Sequence, residues 1–267
     1  MNVYTFETIN EGYIELVRQL LNSARISSKS SGCSPDTHPS TDYQKVEFDS
    51  CGVGKNVNKK SRYHLRNVHV MFNNVDEFTE FKVACPERTK KMNEYMIAER
   101  DLFDRGVIDA DEMGKISKIW SLIRNSDNTI NANYGHMVFF LRDTPEEMSQ
   151  YEWCCDRLSK NLHTLQAYVH FNRSKDQFTE NLDQPCTMFC QFTVEDNKLN
   201  FHSYMRSNDV IYGTPYNLAY FVHIMRKMLE YLKMQGHDLE MGYLHHNVTS
   251  LHLYEDKIDI ATKIVGL

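Results

Sequence analysis

The chain has 267 residues, 41% of them hydrophobic and 25% charged, the balance of an ordinary globular protein long enough to bury a sizeable core. A formal net charge of −6 argues against a nucleic-acid surface, so no DNA binding is expected. No apolar run approaches the roughly 18 residues needed to cross a bilayer, and the opening MNVYTFETINEGY lacks the basic and apolar regions of a signal peptide. The cytoplasm is therefore the expected location, with no membrane partner.

Residues 9–24 carry Tyr13, Ile14, Leu16, Val17, Leu20 and Leu21 at helical spacing with one apolar face. Residues 27–49 are rich in Ser, Pro, Asp and Thr and read as loop, part of a loop-rich insertion over 27–62. Alternation predicts a strand over 63–72. Helices are predicted over 88–103 and 111–124. Residues 166–172, 188–194 and 198–205 alternate strongly and read as three strands. The longest helix is expected over 217–234, and a short strand over 249–254. There is no internal repeat. This order predicts an α+β fold in one domain over 1–267, a sheet with long helices laid against it.

Seven cysteines (Cys33, Cys51, Cys85, Cys154, Cys155, Cys186 and Cys190) are irregularly spaced, with no CxxC pair. Neither a zinc site nor a disulfide framework is indicated, and no metal is expected. Cys186 stands out because Pro185 fixes the entry to its strand and Arg206 follows one hairpin later. A cationic neighbour stabilises the thiolate, which is the nucleophilic form. Cys190 is four residues on, hence on the same face of a regular strand. Arg206-Ser207-Asn208-Asp209, closed by Gly213, offers a guanidinium fork and a hydroxyl to an anion. Asn217 at the start of the long helix is a good N-cap, and its amide can also donate and accept at once. Alternation places His252 and Tyr254 on one strand face. Taken singly, most of these are ordinary packing residues.

In their order and spacing, the residues from PCTMFCQ through RSNDVIYGTPYN, with Ile119-Trp120, Asn131-Ala132-Asn133-Tyr134-Gly135 and Ser250-Leu251-His252-Leu253-Tyr254, resemble the thymidylate synthase superfamily. That superfamily holds both the thymidylate synthases and the phage deoxypyrimidine-monophosphate hydroxymethylases. The resemblance covers roughly 87–259 and, weakly, the first helix. It implies a thymidylate synthase-like mixed sheet packed by long helices. It implies Cys186 as nucleophile, with Gln191, Arg206, Ser207 and Asn208 binding the nucleotide. Asn217 becomes the reader of the base: Asn suits uracil, and Asp at that place suits cytosine. His252 and Tyr254 bind the sugar hydroxyl. Trp120, Asp209 and Gly213 line the folate site, Asp209 also acting in catalysis, and Tyr134 belongs to the active-site water network. The catalytic glutamate falls on Glu99, with Glu94 as runner-up. The Asn-x-Asn-Tyr-Gly and Ser-Leu-His-x-Tyr forms are closer to the hydroxymethylases than to the synthases, where Gly-Pro-x-Tyr-Gly is usual.

Three departures bear on function. Paired arginines that reach across the family's dimer to the nucleotide phosphate should lie near 164–166, where this chain reads HTLQAY. The N-terminal phosphate loop is only echoed by SSKSSG around Lys29. Arg206 is then the phosphate cation that the resemblance supplies, with Arg173 a candidate to compensate. Only 13 residues follow Tyr254, whereas synthases carry a longer tail that closes over the folate. The expected function is a C5 hydroxymethyltransferase acting on dUMP with 5,10-methylenetetrahydrofolate, in a homodimer packed through its sheet. Three alternatives stand beside it: a methyl-forming thymidylate synthase, a dCMP hydroxymethylase, and a noncatalytic homologue that binds a nucleotide or a partner protein.

Overall fold

The computed structural model describes residues 2–29, 43–49, 59–142, 146–178 and 180–267, with side chains described outside 25–60. In chain order the elements are β1 (Asn2–Phe6), α1 (Ile9–Lys29), β2 (Tyr43–Asp49), β3 (Lys59–Phe72), α2 (Pro86–Asp104), α3 (Ala110–Gly114), α4 (Lys118–Leu122), a π-helical turn (His136–Phe140), α5 (Gln150–Lys160), β4 (Tyr168–His170), β5 (Thr187–Glu195), β6 (Lys198–Met205), β7 (Asn208–Asp209), α6 (Thr214–Met234), β8 (Glu240–Tyr254) and α7 (Ile258–Val265). The strands form one mixed sheet in the order β1-β3-β8-β6-β5-β4, with β2 along β3 and β7 along β8. The fold is α+β, as expected.

The helices cover one face of the sheet. Tyr13, Leu16, Val17, Leu20 and Leu21 of α1 are fully buried, the stripe that a 3.6-residue period turns inward, and the Thr8 hydroxyl caps the helix by accepting from the Glu11 amide at 3.2 Å. From α6, Phe221 packs on Phe201 of β6 at 5.6 Å and on His246 of β8 at 6.1 Å between ring centroids. Helix α2 starts with Pro86, a residue suited to the first turn. Its buried residues Met92, Met96, Glu99 and Phe103 recur at helical spacing, so a carboxylate stands in an apolar stripe.

Strand pairing then gathers the candidate residues. Parallel pairing of β6 with β8 sets Met205 beside Val248, and β7 continues it with Asp209 beside His252. Antiparallel pairing of β5 with β6 sets Thr187 opposite Met205, so the Arg206 amide donates to the Cys186 carbonyl at 3.0 Å. Antiparallel β3 brings Arg62 opposite Tyr254 and His64 opposite His252. Four chain segments meet at one end of the sheet.

Several expectations are corrected. The first helix runs to Lys29 and residues 43–49 form β2, antiparallel to β3, so polarity of composition alone misread part of 27–49. The remainder of the expected insertion, 30–42 and 50–58, lies outside the described residues. The helix expected over 111–124 is broken into α3 and α4: a Cβ on Gly114 would lie 2.1 Å from the Ser121 hydroxyl, a closeness by which α4 folds back on α3. Helix α6 begins at Thr214 with Gly213 at the cap position, so Asn217 lies inside the first turn and is no N-cap. The strand expected over 249–254 is the end of a 15-residue β8. Its Gly-Tyr-Leu-His-His run hides the alternation. Strands β1 and β7 and helices α5 and α7 were not anticipated, although the Ser149–Glu152 capping box that starts α5 is a readable signal.

Gly135 marks the tightest approach near the site. A Cβ there would lie 1.8 Å from the Phe103 carbonyl oxygen and 2.7 Å from the Tyr220 hydroxyl. Gly135→Ala is expected to cost roughly 1–3 kcal/mol, the range for overpacking a filled interior. Urea unfolding reads it, and an unchanged midpoint would mean that the end of α2 can move aside.

Candidate active site

Cys186 lies just before β5. A bulge between Thr187 and Phe189 shifts the strand register, and one extra residue exchanges the two faces. Thr187 and Cys190 therefore both point into the core, 0% and 1% exposed, while Cys186 is half-buried. The expectation that the two cysteines share a face fails for this reason. Burial pushes the Cys190 thiol well above its ordinary pKa, with Cys154 adding to it, so Cys190 is the inert one. The Cys186 sulfur takes a hydrogen bond from the Ser207 hydroxyl at 3.7 Å.

Arg206 spends part of its fork on the chain around this cysteine. Its Nη2 donates to the Gln184 carbonyl at 2.9 Å and its Nε to the Pro185 carbonyl at 3.2 Å. Its Nη1 is directed to the Ser207 hydroxyl at 3.5 Å. The guanidinium thus holds the approach to Cys186 in place. Behind the cysteine, the Tyr134 hydroxyl accepts from the Thr187 hydroxyl at 2.8 Å and from its amide at 3.2 Å. Burial, with Cys186 next in importance, raises the Tyr134 pKa, so it stays a neutral phenol.

Glu99 is 9% exposed. The Tyr95 hydroxyl donates to its Oε1 at 2.8 Å, and the Trp120 indole donates to that hydroxyl at 3.2 Å. Tyr95 also packs, its ring tilted, against Tyr216 at 4.5 Å, on the helix that carries Asn217. Burial raises the Glu99 pKa to about 7, against the opposing effect of the Tyr95 hydrogen bond. A carboxyl poised there can give or take a proton near neutrality. Glu94, the runner-up, is on the surface 3.8 Å from Lys90.

Asp209 is a half-buried carboxyl of the same region. Its Oδ1 accepts from the Ile211 and Tyr212 amides at 2.7 and 3.2 Å, and burial carries its pKa to about 6. His252 is 5% exposed and its Nδ1 donates to the Ser250 carbonyl at 3.3 Å. The ring therefore offers Nε2 as an acceptor. Burial lowers its pKa to about 4, with Arg62 and Arg206 among the charges acting on it. Tyr254 packs edge-on to His252 at 5.1 Å. Its pKa is raised by burial first, and the charges of Asp209, Arg62 and Cys186 all act on it. These residues therefore cluster around Tyr254, at the candidate cleft.

Sequence reading missed Arg62 and His64. Arg62 Nε donates to His64 Nε2 at 2.9 Å, and His64 Nδ1 bonds the Ser250 hydroxyl at 2.5 Å. Their signal was the Arg-x-His alternation in β3, but only the register with β8 turns it toward the cleft. Arg62 is a second cation beside Arg206. Arg173 is committed elsewhere, to Asp176 at 2.7 Å. Two candidates do not line the cleft. Gln191 is on the outer side of β5 and donates to the Leu165 carbonyl at 3.3 Å. Asn208 is 2% exposed, packed under Gly213, where a Cβ would lie 2.3 Å from its oxygen. Among the described residues no group of three or more His, Cys, Asp or Glu could hold a metal ion, and no helix is long and apolar enough to cross a membrane.

Comparison with known proteins places this geometry. A family model described as thymidylate synthase matches residues 56–266. The deoxycytidylate 5-hydroxymethyltransferase of Enterobacteria phage T4 is 28% identical over 169 residues, 61% of this chain and 67% of the phage protein. A thymidylate synthase of Mycoplasma genitalium is 36% identical over 75 residues, 28% of this chain and 24% of that protein. The thermostable thymidylate synthase A from Bacillus subtilis shares the fold at a TM-score of 0.65 and 17% identity, over 97% of this chain and 84% of that one.

The raised pKa of Glu99 has a cost in stability. Its folded-state value of about 7 exceeds the ordinary 4.5, so the folded chain keeps a proton that the unfolded chain releases. Stability from this group is full below about pH 4.5, falls as pH rises toward 7, and stays low above it. Glu99→Gln, similar in shape but unable to ionise, should gain up to about 3 kcal/mol at pH 8 and almost nothing at pH 4. Denaturant unfolding at both pH values reads this. A gain of equal size at the two would contradict the ionised-and-buried account.

Proposed function

The chain belongs to the thymidylate synthase family, and from that premise we propose that it transfers a hydroxymethyl group to C5 of dUMP. It is a folate-dependent one-carbon transferase, as its family and its relatives among hydroxymethyltransferases and thymidylate synthases indicate. The observation that supports covalent nucleotide chemistry at this site is the meeting of Cys186, Arg206, Ser207, His252 and Tyr254 at one end of the sheet, where β6 and β8 run parallel.

The residues then take these parts. The Cys186 thiolate adds to C6 of the pyrimidine, and the electron pair of the C5–C6 double bond moves to make C5 nucleophilic. Methylenetetrahydrofolate supplies the one-carbon unit that C5 takes up. The aromatic faces of Trp120, Tyr95 and Tyr216 and the carboxyl of Asp209 suit a flat heterocycle with N–H groups. Glu99 handles the proton at C5 through the range in which it titrates. As C5 loses that proton the bond between the one-carbon unit and the folate nitrogen breaks, and tetrahydrofolate leaves with the electron pair; water then adds to the exocyclic methylene so formed, and the thiolate leaves C6 as the C5–C6 double bond returns. His252 Nε2 accepts from a sugar hydroxyl. Arg62 and Arg206 supply the positive charge at the nucleotide, in place of the paired arginines absent at 164–166.

Asn217 favours uracil, because its amide can donate to a ring carbonyl and accept from the adjoining N–H. Water rather than hydride is favoured by Asn131-Ala132-Asn133-Tyr134-Gly135 and Ser250-Leu251-His252-Leu253-Tyr254, the forms that resemble the phage hydroxymethylases. A homodimer is proposed through the outer sheet face. There Phe189 and Tyr204 stack at 4.3 Å, and His202, Tyr243 and His245 stand half-buried.

The deciding experiment incubates the protein with dUMP or dCMP and methylenetetrahydrofolate. The expected product is dUMP heavier by CH2O, with no rise in the dihydrofolate absorbance. Dihydrofolate appearing in step with a methylated nucleotide would overturn the reading in favour of a synthase. Turnover of dCMP alone would overturn the choice of base.

A further inference from the structure

Asn217 stands at one end of a buried hydrogen-bond chain that crosses three strands. The Ser203 hydroxyl on β6 lies 2.7 Å from His246 Nδ1 on β8. His246 Nε2 lies 3.2 Å from Asn208 Nδ2 on β7. The Asn208 oxygen accepts from Asn217 Nδ2 at 3.3 Å. Ser203, His246 and Asn208 are 0%, 0% and 2% exposed, so each must find its partners within the chain.

With the Asn208 nitrogen facing His246 and its oxygen facing Asn217, the direction of every bond in the chain follows. A ring facing an amide N–H at Nε2 must be neutral there and carry its proton on Nδ1, donated to Ser203. Burial favours the same neutral form, with the His246 pKa lowered to about 3. Asn208 then has its nitrogen toward His246 and its oxygen toward Asn217. Met205 reinforces this: its sulfur accepts from Asn208 Nδ2 at 3.3 Å and lies 3.6 Å from Asn217 Nδ2, where it takes the second amide hydrogen until a base carbonyl displaces it. A half-turn of the Asn217 amide would set oxygen against the oxygen of Asn208 and against sulfur. Gly213 leaves the room that the Asn208 side chain occupies.

We infer that Asn208, held by His246 and Ser203, decides which pyrimidine Asn217 accepts by locking its amide in one orientation. The inference rests on the proposed role of Asn217 as reader of the base. An amide edge shows one donor beside one acceptor. Uracil presents a carbonyl and then an N–H; cytosine presents an amino group and then an unprotonated nitrogen. A half-turn of the amide exchanges one match for the other. A free asparagine could therefore serve both bases, whereas a locked one serves a single base. Asn208 is a positioning residue: it sets the orientation without lying in the cleft.

The test is the ratio of kcat/KM for dUMP over dCMP in the full-length protein, with a thermal melt for each variant. Asn208→Ala releases the amide and should lower the ratio by about tenfold or more, the scale of mismatched buried hydrogen bonds. Asn208→Asp still accepts from Asn217 Nδ2 and should keep the ratio within a few fold, whatever happens to the rate. Ser203→Ala is the smaller change should Asn208→Ala fail to fold. It removes the acceptor of the His246 proton, lets the ring take the other tautomer, and should lower the ratio severalfold. A ratio unmoved by Ser203→Ala and Asn208→Ala, yet shifted by Asn217→Asp, would overturn the lock and leave the base reader standing. A ratio unmoved by Asn217→Asp as well would remove the base reader itself.

Discussion

The parallel pairing of β6 with β8 is the constraint on which the site depends. Antiparallel pairing of β6 with β8 would have separated the end of β6 from the end of β8, because antiparallel neighbours end at opposite edges of a sheet. Parallel pairing ends both strands at the same edge. The turn after β6, carrying Arg206 to Asp209, thus arrives beside the end of β8, carrying His252 and Tyr254. Helix α6, the long crossover between them, lays its first turn over the same edge and presents Asn217 there. The proposed cation, base reader and sugar reader follow from this parallel pairing, and the antiparallel β5–β6 hairpin adds the proposed nucleophile, because β5 starts where β6 ends.

Burial then divides the chemistry among similar groups. Two cysteines four residues apart differ because one bulge puts Cys190 in the core and leaves Cys186 half-buried. Two glutamates on one helix differ because Glu99 falls on the apolar stripe and Glu94 on the solvent face. A carboxyl in that stripe is costly to ionise, and the cost is what brings its pKa to the range useful for proton transfer. Stability is given up at the place where chemistry is proposed, a common pattern in enzymes.

Periodicity made α1, α2, β5 and β6 legible, since each keeps its spacing over several turns or alternations. It failed where backbone detail interrupts it. Gly114 lets a helix break that composition does not announce, and the bulge at Met188 changes which face Cys186 occupies. Family resemblance alone singled out Glu99, Trp120 and Tyr134 as candidates, since they carry no signal of their own. Neither route reached Arg62 and His64, whose place follows from strand register. The task given to Asn208 was likewise hidden, because it depends on His246, a residue 38 positions away.

The central claim is that Cys186 forms the covalent bond to the pyrimidine. The most direct measurement mixes protein, dUMP and methylenetetrahydrofolate, quenches the reaction with acid during turnover, and maps the protein by peptide mass spectrometry. The account predicts a nucleotide attached to the peptide of Cys186, at that sulfur, and lost in Cys186→Ser. Turnover with the nucleotide on another cysteine, or undiminished turnover by Cys186→Ser, would contradict it.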